Sequence, residues 1–240
     1  MKFDENISKY LDGILFSNSL KIKVGNSEKS IISRFDKLIE LASNKNILHL
    51  GFADHIPLIE GKIKDRKWLH GLLVNVANKC VGIDTNAEAI DFIKSKFNIG
   101  EIYVHDIIND PQLEIITSEK WDYLVIGEVL EHIDNPVQFL RSIKERYGGH
   151  IDKIVITVPN AFDLQNIKLL KNNIEFINSD HRYWFTPFTL AKVCTRAGYK
   201  IDEFWFCQSY IPSNPLDKYL LRRKPIFREG ILMILTNDIR

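Results

Sequence analysis

Five short apolar runs recur along this chain with helical stretches between them: Ile47 to Leu50, Cys80 to Ile83, Ile102 to Val104, Tyr123 to Ile126 and Ile154 to Val158. That alternation implies parallel strands joined by crossover helices. Two further runs, the aromatic-rich Ile201 to Tyr210 and the apolar Gly230 to Leu235, read as closing strands that add an antiparallel edge. The expected class is α/β, with a doubly wound, mostly parallel sheet.

The punctuation between the runs supports this reading. Residues 28–42 place Ile31, Ile32, Phe35, Leu38, Ile39 and Leu41 at intervals of mostly three and four, the pattern of an amphipathic helix. Thr85-Asn86-Ala87-Glu88 reads as a capping box opening a helix over 86–97, with Gly100 just beyond it. Asn135 can cap a helix whose first turn holds Pro136, where a missing amide hydrogen costs nothing, and Gly148-Gly149 ends it. Thr186-Pro187 and Gly198 bracket another helix. The expected organisation is an N-terminal helical extension, 1–45, packing on the sheet, followed by a domain, 46–240, with insertions near 54–78 and 211–226.

Composition narrows the function classes. The 240 residues are 45% apolar, enough for a continuous core. Lys and Arg number 32 against 31 Asp and Glu, so a net charge of +1 offers no strong field to draw the protein onto nucleic acid or an anionic membrane. Cys80, Cys194 and Cys207 have neither CxxC spacing nor the density of a disulfide scaffold, which points to buried or neutral thiols in a reducing compartment. Met1 to Asn18 lacks the basic start and continuous apolar stretch of a signal peptide, and no run approaches about 18 apolar residues. A cytoplasmic protein without a membrane partner is expected.

Ligands of open α/β sheets bind at the carboxyl ends of strands. Asp84 ends the second run, where a carboxylate can accept two hydrogen bonds from the vicinal hydroxyls of a ribose, each worth about 1.5 to 3 kcal/mol, or can cap the next helix. Asp106 follows the third run and can accept from a nucleobase amine, or serve a surface turn. The stretch Trp121 to Pro136 joins a buried strand to Glu128, Glu131 and His132, two carboxylates and an imidazole at helical spacing, just before a well-marked helix start.

This order of motifs resembles the class I S-adenosylmethionine-dependent methyltransferases over roughly residues 45–210. Ile47 to Gly51 looks like their first strand and leading glycine, and Val81-Gly82-Ile83-Asp84 like the second strand with its ribose-binding acid. Asp106-Ile107 matches the adenine-side position, and Trp121 to Pro136 the fourth-strand motif with Glu-x-x-Glu-His and a proline. Asp180 to Leu190, followed by Ala197-Gly198-Tyr199, looks like the lead into the last crossover helix. The resemblance implies a Rossmann-like sheet of seven strands and S-adenosylmethionine (SAM) as methyl donor. It places the donor site at Gly51, Phe52, Ala53, Asp84, Thr85, Asp106, Ile107 and Gly127. Residues 54–78, with Trp68-Leu69-His70-Gly71, are similar to a loop and helix of bacterial methyltransferases associated with surface-glycan synthesis.

Two departures stand out. The donor loop reads Gly51-Phe52-Ala53-Asp54-His55 where the family favours Gly-x-Gly-x-Gly, and His49 replaces an acid common in the first strand. Glycines there allow close backbone approach and positive φ, so a non-catalytic, methyltransferase-like binding protein stays open as an alternative.

If Glu128 begins a helical turn, Glu131 and His132 share its face. With His181 they make four ligands suited to Mg²⁺ or Mn²⁺, an arrangement similar to that of the small-RNA 2′-O-methyltransferases. Alternatively His132 is a general base oriented by the carboxylates Glu128 and Glu131, a contribution of about 10²- to 10⁴-fold. A third reading makes Glu128 part of the donor pocket and Glu131 and His132 ordinary caps and ion pairs. Tyr183, Trp184, Phe185 and Phe188 can wall an acceptor pocket or pack beneath a loop. The only dense basic patch is Lys218 to Lys224, followed by Arg228. The near-neutral charge favours a small or sugar-like hydroxyl acceptor over a long nucleic acid, with metal-dependent RNA 2′-O-methylation as the alternative.

Overall fold

The computed structural model describes residues 1–24, 30–65, 67–97 and 99–237. Its elements in chain order begin with α1 (Glu5–Asp12), α2 (Arg34–Ala42), β1 (Asn46–Leu50), α3 (Ile56–Lys64), α4 (Leu69–Val74), β2 (Lys79–Asp84), α5 (Ala87–Lys96), β3 (Ile102–Val104) and α6 (Glu114–Thr117). They continue with β4 (Trp121–Gly127), α7 (Pro136–Tyr147), β5 (Ile151–Pro159), α8 (Leu164–Leu170), α9 (Pro187–Arg196), β6 (Tyr199–Cys207), α10 (Pro215–Arg223) and β7 (Gly230–Asn237). Leu130–His132 and Pro225–Phe227 are 3₁₀ turns.

Seven strands form one sheet in the order β3-β2-β1-β4-β5-β7-β6. β1 lies parallel to β2 and β4, β2 lies parallel to β3, and β6 runs antiparallel to β7. The expected sheet is present, with the last strand in sequence inserted beside the edge. Contacts divide the chain into two compact units, one of residues 35–127 and 141–155, the other of 1–34, 128–140 and 156–240.

In the first unit, Ile47, Leu48, Val81, Ile83, Leu124 and Ile126 are wholly buried, as parallel strands covered on both faces require. α5 lays Ala89, Ile90 and Ile93 into a cluster with Phe52, Ile59, Trp68 and Ile102, each buried aliphatic or aromatic side chain contributing about 1.5 to 3 kcal/mol. The cap of α5 sits one residue later than the sequence suggests. Asn86 accepts from the Ala89 amide at 3.0 Å, while its own amide donates to Asp84 Oδ1 at 2.9 Å. Thr85 is left exposed, and Glu88 falls too early in the helix to complete a box.

In the second unit, residues 32–34 are drawn into strand-like pairing with Gln208: its amide donates to Ile32 O at 2.9 Å, and the Arg34 amide donates to Gln208 O at 3.0 Å. That pairing delays the helix expected over 28–42 until Arg34; residues 28 and 29 lie outside the described residues. Asp4 caps α1 through the Ile7 amide at 2.8 Å, and α9 opens on a capping box between Thr186 and Thr189. The insertion at 211–226 carries α10. Arg228 does not belong to the basic patch: it is fully buried and donates to the carbonyls of Leu221, Phe206 and Ser30 at 3.2, 3.0 and 2.6 Å. A buried guanidinium must be satisfied in this way or cost several kcal/mol.

All three cysteines are free thiols. Burial pushes Cys80 and Cys207 up to about 12, so both are neutral near pH 7. Among the described residues, no helix is long and apolar enough to cross a membrane.

Candidate active site

In the first unit the donor loop follows β1. Gly51 takes φ 70°, the left-handed region where a side chain is strained, and its amide donates to Ile83 O at 2.9 Å. Neither Phe52 nor Ala53 is among the non-glycine residues of positive φ. The loop therefore needs a single glycine. Phe52, only 2% exposed, turns its ring into the cluster under α5, so its bulk is spent on packing. Trp68 Nε1 donates to Phe52 O at 3.3 Å and ties the loop to the 54–78 insertion.

His49 packs against a second imidazole. Its Nδ1 lies 3.3 Å from Nδ1 of His70 on α4, both rings are buried, and burial lowers His70 to about 3. A neutral His70 imidazole thus faces His49, at the position where the resemblance leads one to expect a carboxylate. The His70 ring also lies tilted against Phe52, at 4.6 Å between centroids and 42° between planes. Gly82 makes room for this cluster: a Cβ there would sit 2.9 Å from atoms of His70, Ile102 and Phe52.

Asp84 stands at the end of β2 and receives the Ala53 amide on Oδ2 at 2.9 Å and the Asn86 amide on Oδ1 at 2.9 Å. Each oxygen keeps a second lone pair for a ribose hydroxyl. The carboxylate that fixes the 51–53 loop thus keeps acceptor capacity of its own. Asp106 is committed to its own turn, where Oδ1 accepts the Ile108 and Asn109 amides and Oδ2 accepts Asn109 Nδ2. Burial works against its charge, but these bonds hold it below the usual carboxylate range. Ile107 is buried beside it, and Gly127 closes β4.

In the second unit, Glu128 takes φ 56° with its amide on Thr157 O at 2.9 Å, and the 3₁₀ turn starts only at Leu130. The left-handed residue breaks the helical spacing, so Glu128 does not share a face with Glu131 and His132. It turns instead to Arg34, at 3.1 Å. Burial opposes the charge of Arg34, but Glu128 and other neighbours carry its pKa above the ordinary value.

Glu131, His132 and His181 do converge, with one ligand atom of each within 4.8 Å of the others. The segment carrying His181 is stitched to the turn: the Arg182 amide donates to Glu131 O at 2.8 Å and Tyr183 Oη to Asp134 O at 2.7 Å. His132 Nδ1 faces Asp180 O at 3.2 Å; a carbonyl only accepts, so Nδ1 carries a hydrogen in this contact and Nε2 is left outside it. Glu131 is 0% exposed, neither carboxylate oxygen has a hydrogen-bond partner among the described residues, and His181 Nε2 lies 3.9 Å away. Burial, and then Glu128, raise its pKa to about 8. Burial, and then His132, push His181 below the ordinary imidazole range.

A cavity of about 330 Å³ opens in the same unit against His181 and Trp184. Its polar lining includes Glu128, Asp163, Glu229 and Arg34, and Phe176 and Tyr210 add aromatic surface. Burial raises both Asp163 and Glu229, although the amide of Ser209 donates to Glu229.

Residues 29–203 match the family described as "Methyltransferase domain". The chain belongs to this methyltransferase family. The fold of the methyltransferase is shared by a SAM-dependent methyltransferase from Archaeoglobus fulgidus, at TM-score 0.50 and 16% identity over 85% of this chain and 91% of that one. Magnesium protoporphyrin IX methyltransferase (ChlM) from Synechocystis PCC 6803, solved with bound SAH, aligns at TM-score 0.51 and 11% identity over 85% and 82%. Small RNA methyltransferase HEN1 aligns at TM-score 0.53 and 15% identity over 86% of this chain and 25% of that one. No curated protein matches the chain by sequence.

In this methyltransferase the groups expected to hold the SAM donor, the loop 51–53 and Asp84, lie together in the first unit. Three of the four metal-type residues meet in the second unit; Glu128 is the exception. Of the four aromatic residues expected at an acceptor pocket, Trp184 lines the cavity, while Phe185 is buried and Tyr183 bonds outward to Asp134. Arg34, Asp163 and Glu229 carried no motif. A cap position before α8 was the one available signal for Asp163, whose carboxylate accepts the Gln165 amide at 3.2 Å.

Proposed function

We propose that this SAM-dependent enzyme methylates a hydroxyl oxygen of a small, sugar-like acceptor, as in glycan-precursor synthesis in a reducing compartment. The observation that carries the reading is the cavity beside His181. Carboxylates of Glu128, Asp163 and Glu229 accept hydrogen bonds from hydroxyls, and Trp184, Phe176 and Tyr210 offer apolar faces to the C–H surface of a sugar ring. Three carboxylates against one arginine also disfavour a polyanionic RNA strand.

The donor supplies an electrophilic methyl on a sulfonium, so the products are S-adenosylhomocysteine, a methyl ether and one proton. The chain's task is to hold the nucleophile in line, worth about 7 to 11 kcal/mol, and to take that proton. In the reading without a metal, His132 Nε2, which the Nδ1 contact to Asp180 O leaves unengaged, takes that proton.

A specific observation favours a divalent cation at Glu131, His132 and His181. A fully buried carboxylate with no hydrogen-bond donor among the described residues is costly unless a cation or a proton neutralises it, and two imidazoles complete a donor set suited to Mn²⁺ or Mg²⁺. When bound, such an ion would lower the pKa of a coordinated acceptor hydroxyl.

Transfer of labelled methyl from SAM to a panel of sugars and sugar derivatives tests the acceptor. Methylation of RNA in preference to every sugar would overturn it. Glu131→Ala and His181→Ala are each expected to abolish the response of activity to added Mn²⁺ or Mg²⁺. Full wild-type activity in chelator would leave His132 acting alone as base.

A further inference from the structure

The acceptor cavity does not end at the residues beside His181. Asp163, Gln165, Tyr210 and Glu229 line it and also line a neighbour of about 580 Å³, in the same unit. Four side chains common to both walls put the two spaces within the width of one side chain of each other. The first, at about 330 Å³, suits one small ring; the second is the larger.

The neighbour lies between α8 and α10. Lys168 on α8 pairs with Asp217 on α10 at 2.5 Å, which ties the two walls together and engages the one cation of this lining. Asp163 and Glu229 receive only neutral donors: the Gln165 amide at 3.2 Å on the first, the Ser209 amide and Gln208 Nε2 on the second. Each carboxylate keeps lone pairs for a ligand. Facing them, Gln165 Nε2, Ser213 Oγ and Asn214 Nδ2 make no hydrogen bond among the described residues and are open to a ligand's oxygens. Tyr210 stands on the shared wall and is 64% exposed, so its ring offers an apolar face at the junction.

A sugar hydroxyl both donates and accepts, so a second ring can use the carboxylates and the amides together. An anionic group in this space would meet Asp163 and Glu229 with the nearby lysine already paired. We propose that the acceptor is a neutral glycan of at least two sugar units, with the reacting ring beside His181 and the next ring between α8 and α10. The glycosidic bond then lies along Asp163, Tyr210 and Glu229, the residues the two spaces share. This rests on the reading that the cavity beside His181 takes the acceptor.

Ligand-observed NMR titrations test it, with glucose, galactose and mannose set against maltose, cellobiose, lactose and mannobiose. They are run on the wild type and on Ser213→Trp, whose indole fills the second space from its exposed rim, with SAM affinity as the check that the variant is folded. At least one disaccharide should bind the wild type about tenfold or more tightly than the best monosaccharide, and that advantage should shrink to within about twofold in Ser213→Trp. Disaccharides that bind the wild type no better than monosaccharides would overturn the proposal while leaving the acceptor cavity in place, and this comparison needs no variant. An advantage that survives Ser213→Trp undiminished would also overturn it, because the second ring would then lie elsewhere. If no sugar binds while SAM does, the acceptor reading falls and takes this one with it.

Discussion

Replacing Glu131 by Gln should change how the stability of the metal-free protein depends on pH. In the folded chain the Glu131 carboxyl is fully buried, without a hydrogen-bond partner among the described residues, and holds its proton to about pH 8, against an ordinary value of 4.5. Below that ordinary value both folded and unfolded chains are protonated, and Glu131 costs nothing through ionisation. Above it the unfolded chain releases the proton while the folded one keeps it, so stability falls with rising pH by about 1.4 kcal/mol per unit until the folded group itself titrates. Between about pH 5 and pH 8 the wild type should therefore lose on the order of 4 kcal/mol relative to Glu131→Gln. The neutral amide has no such slope, and its own burial cost is the same at every pH. Urea unfolding followed by tryptophan fluorescence, with chelator present, measures the difference across that range. A gap between the two proteins that stays constant from pH 5 to pH 8 would show that Glu131 is not a buried, uncompensated acid. Added Mn²⁺ should restore stability at the alkaline end to the wild type alone, because binding to the folded state adds RT ln(1 + [L]/Kd).

Other perturbations probe the donor side and the frame of the cavity. Gly51→Ala places a Cβ at φ 70° and should cost about 1 to 2 kcal/mol of stability and weaken SAM binding, as seen by chemical unfolding and calorimetry. Gly82→Ala forces a Cβ to 2.9 Å from His70, Ile102 and Phe52 and should destabilise by about 1 to 3 kcal/mol; the loss should shrink when His70→Ala is added, and two losses that simply sum would break the proposed packing. Asp84→Asn keeps an acceptor for the loop amides but removes the charge toward the ribose, so SAM affinity should fall about 10- to 100-fold while the unfolding midpoint moves little. Arg34→Ala leaves Glu128 without its ion pair and should impair folding or acceptor binding, with a melting-temperature loss that Arg34→Lys partly recovers.

The sequence by itself determined the local units: apolar runs became β1 to β5, the closing pair became the antiparallel β6 and β7, and Asn135, Pro136, Thr186 and Pro187 set the helix starts. These signals are legible because strand burial, capping and proline geometry depend on neighbours in the chain. The tertiary structure decided what those units present. The loop that departs from the glycine pattern spends the bulk of Phe52 in the cluster under α5, and His49, which stands in place of an acid, meets His70, 21 residues away. Arg228 reads as surface charge in the sequence, yet three carbonyls from separate segments bury it. At the site itself, one left-handed residue, Glu128, withdrew a carboxylate from the expected set, and the bonds of Arg182 and Tyr183 brought His181 in to Glu131 from 50 residues further along the chain. Spacing along a helix fixes direction only while the helix is unbroken. A group that converges from distant segments is set by contacts that no local pattern records.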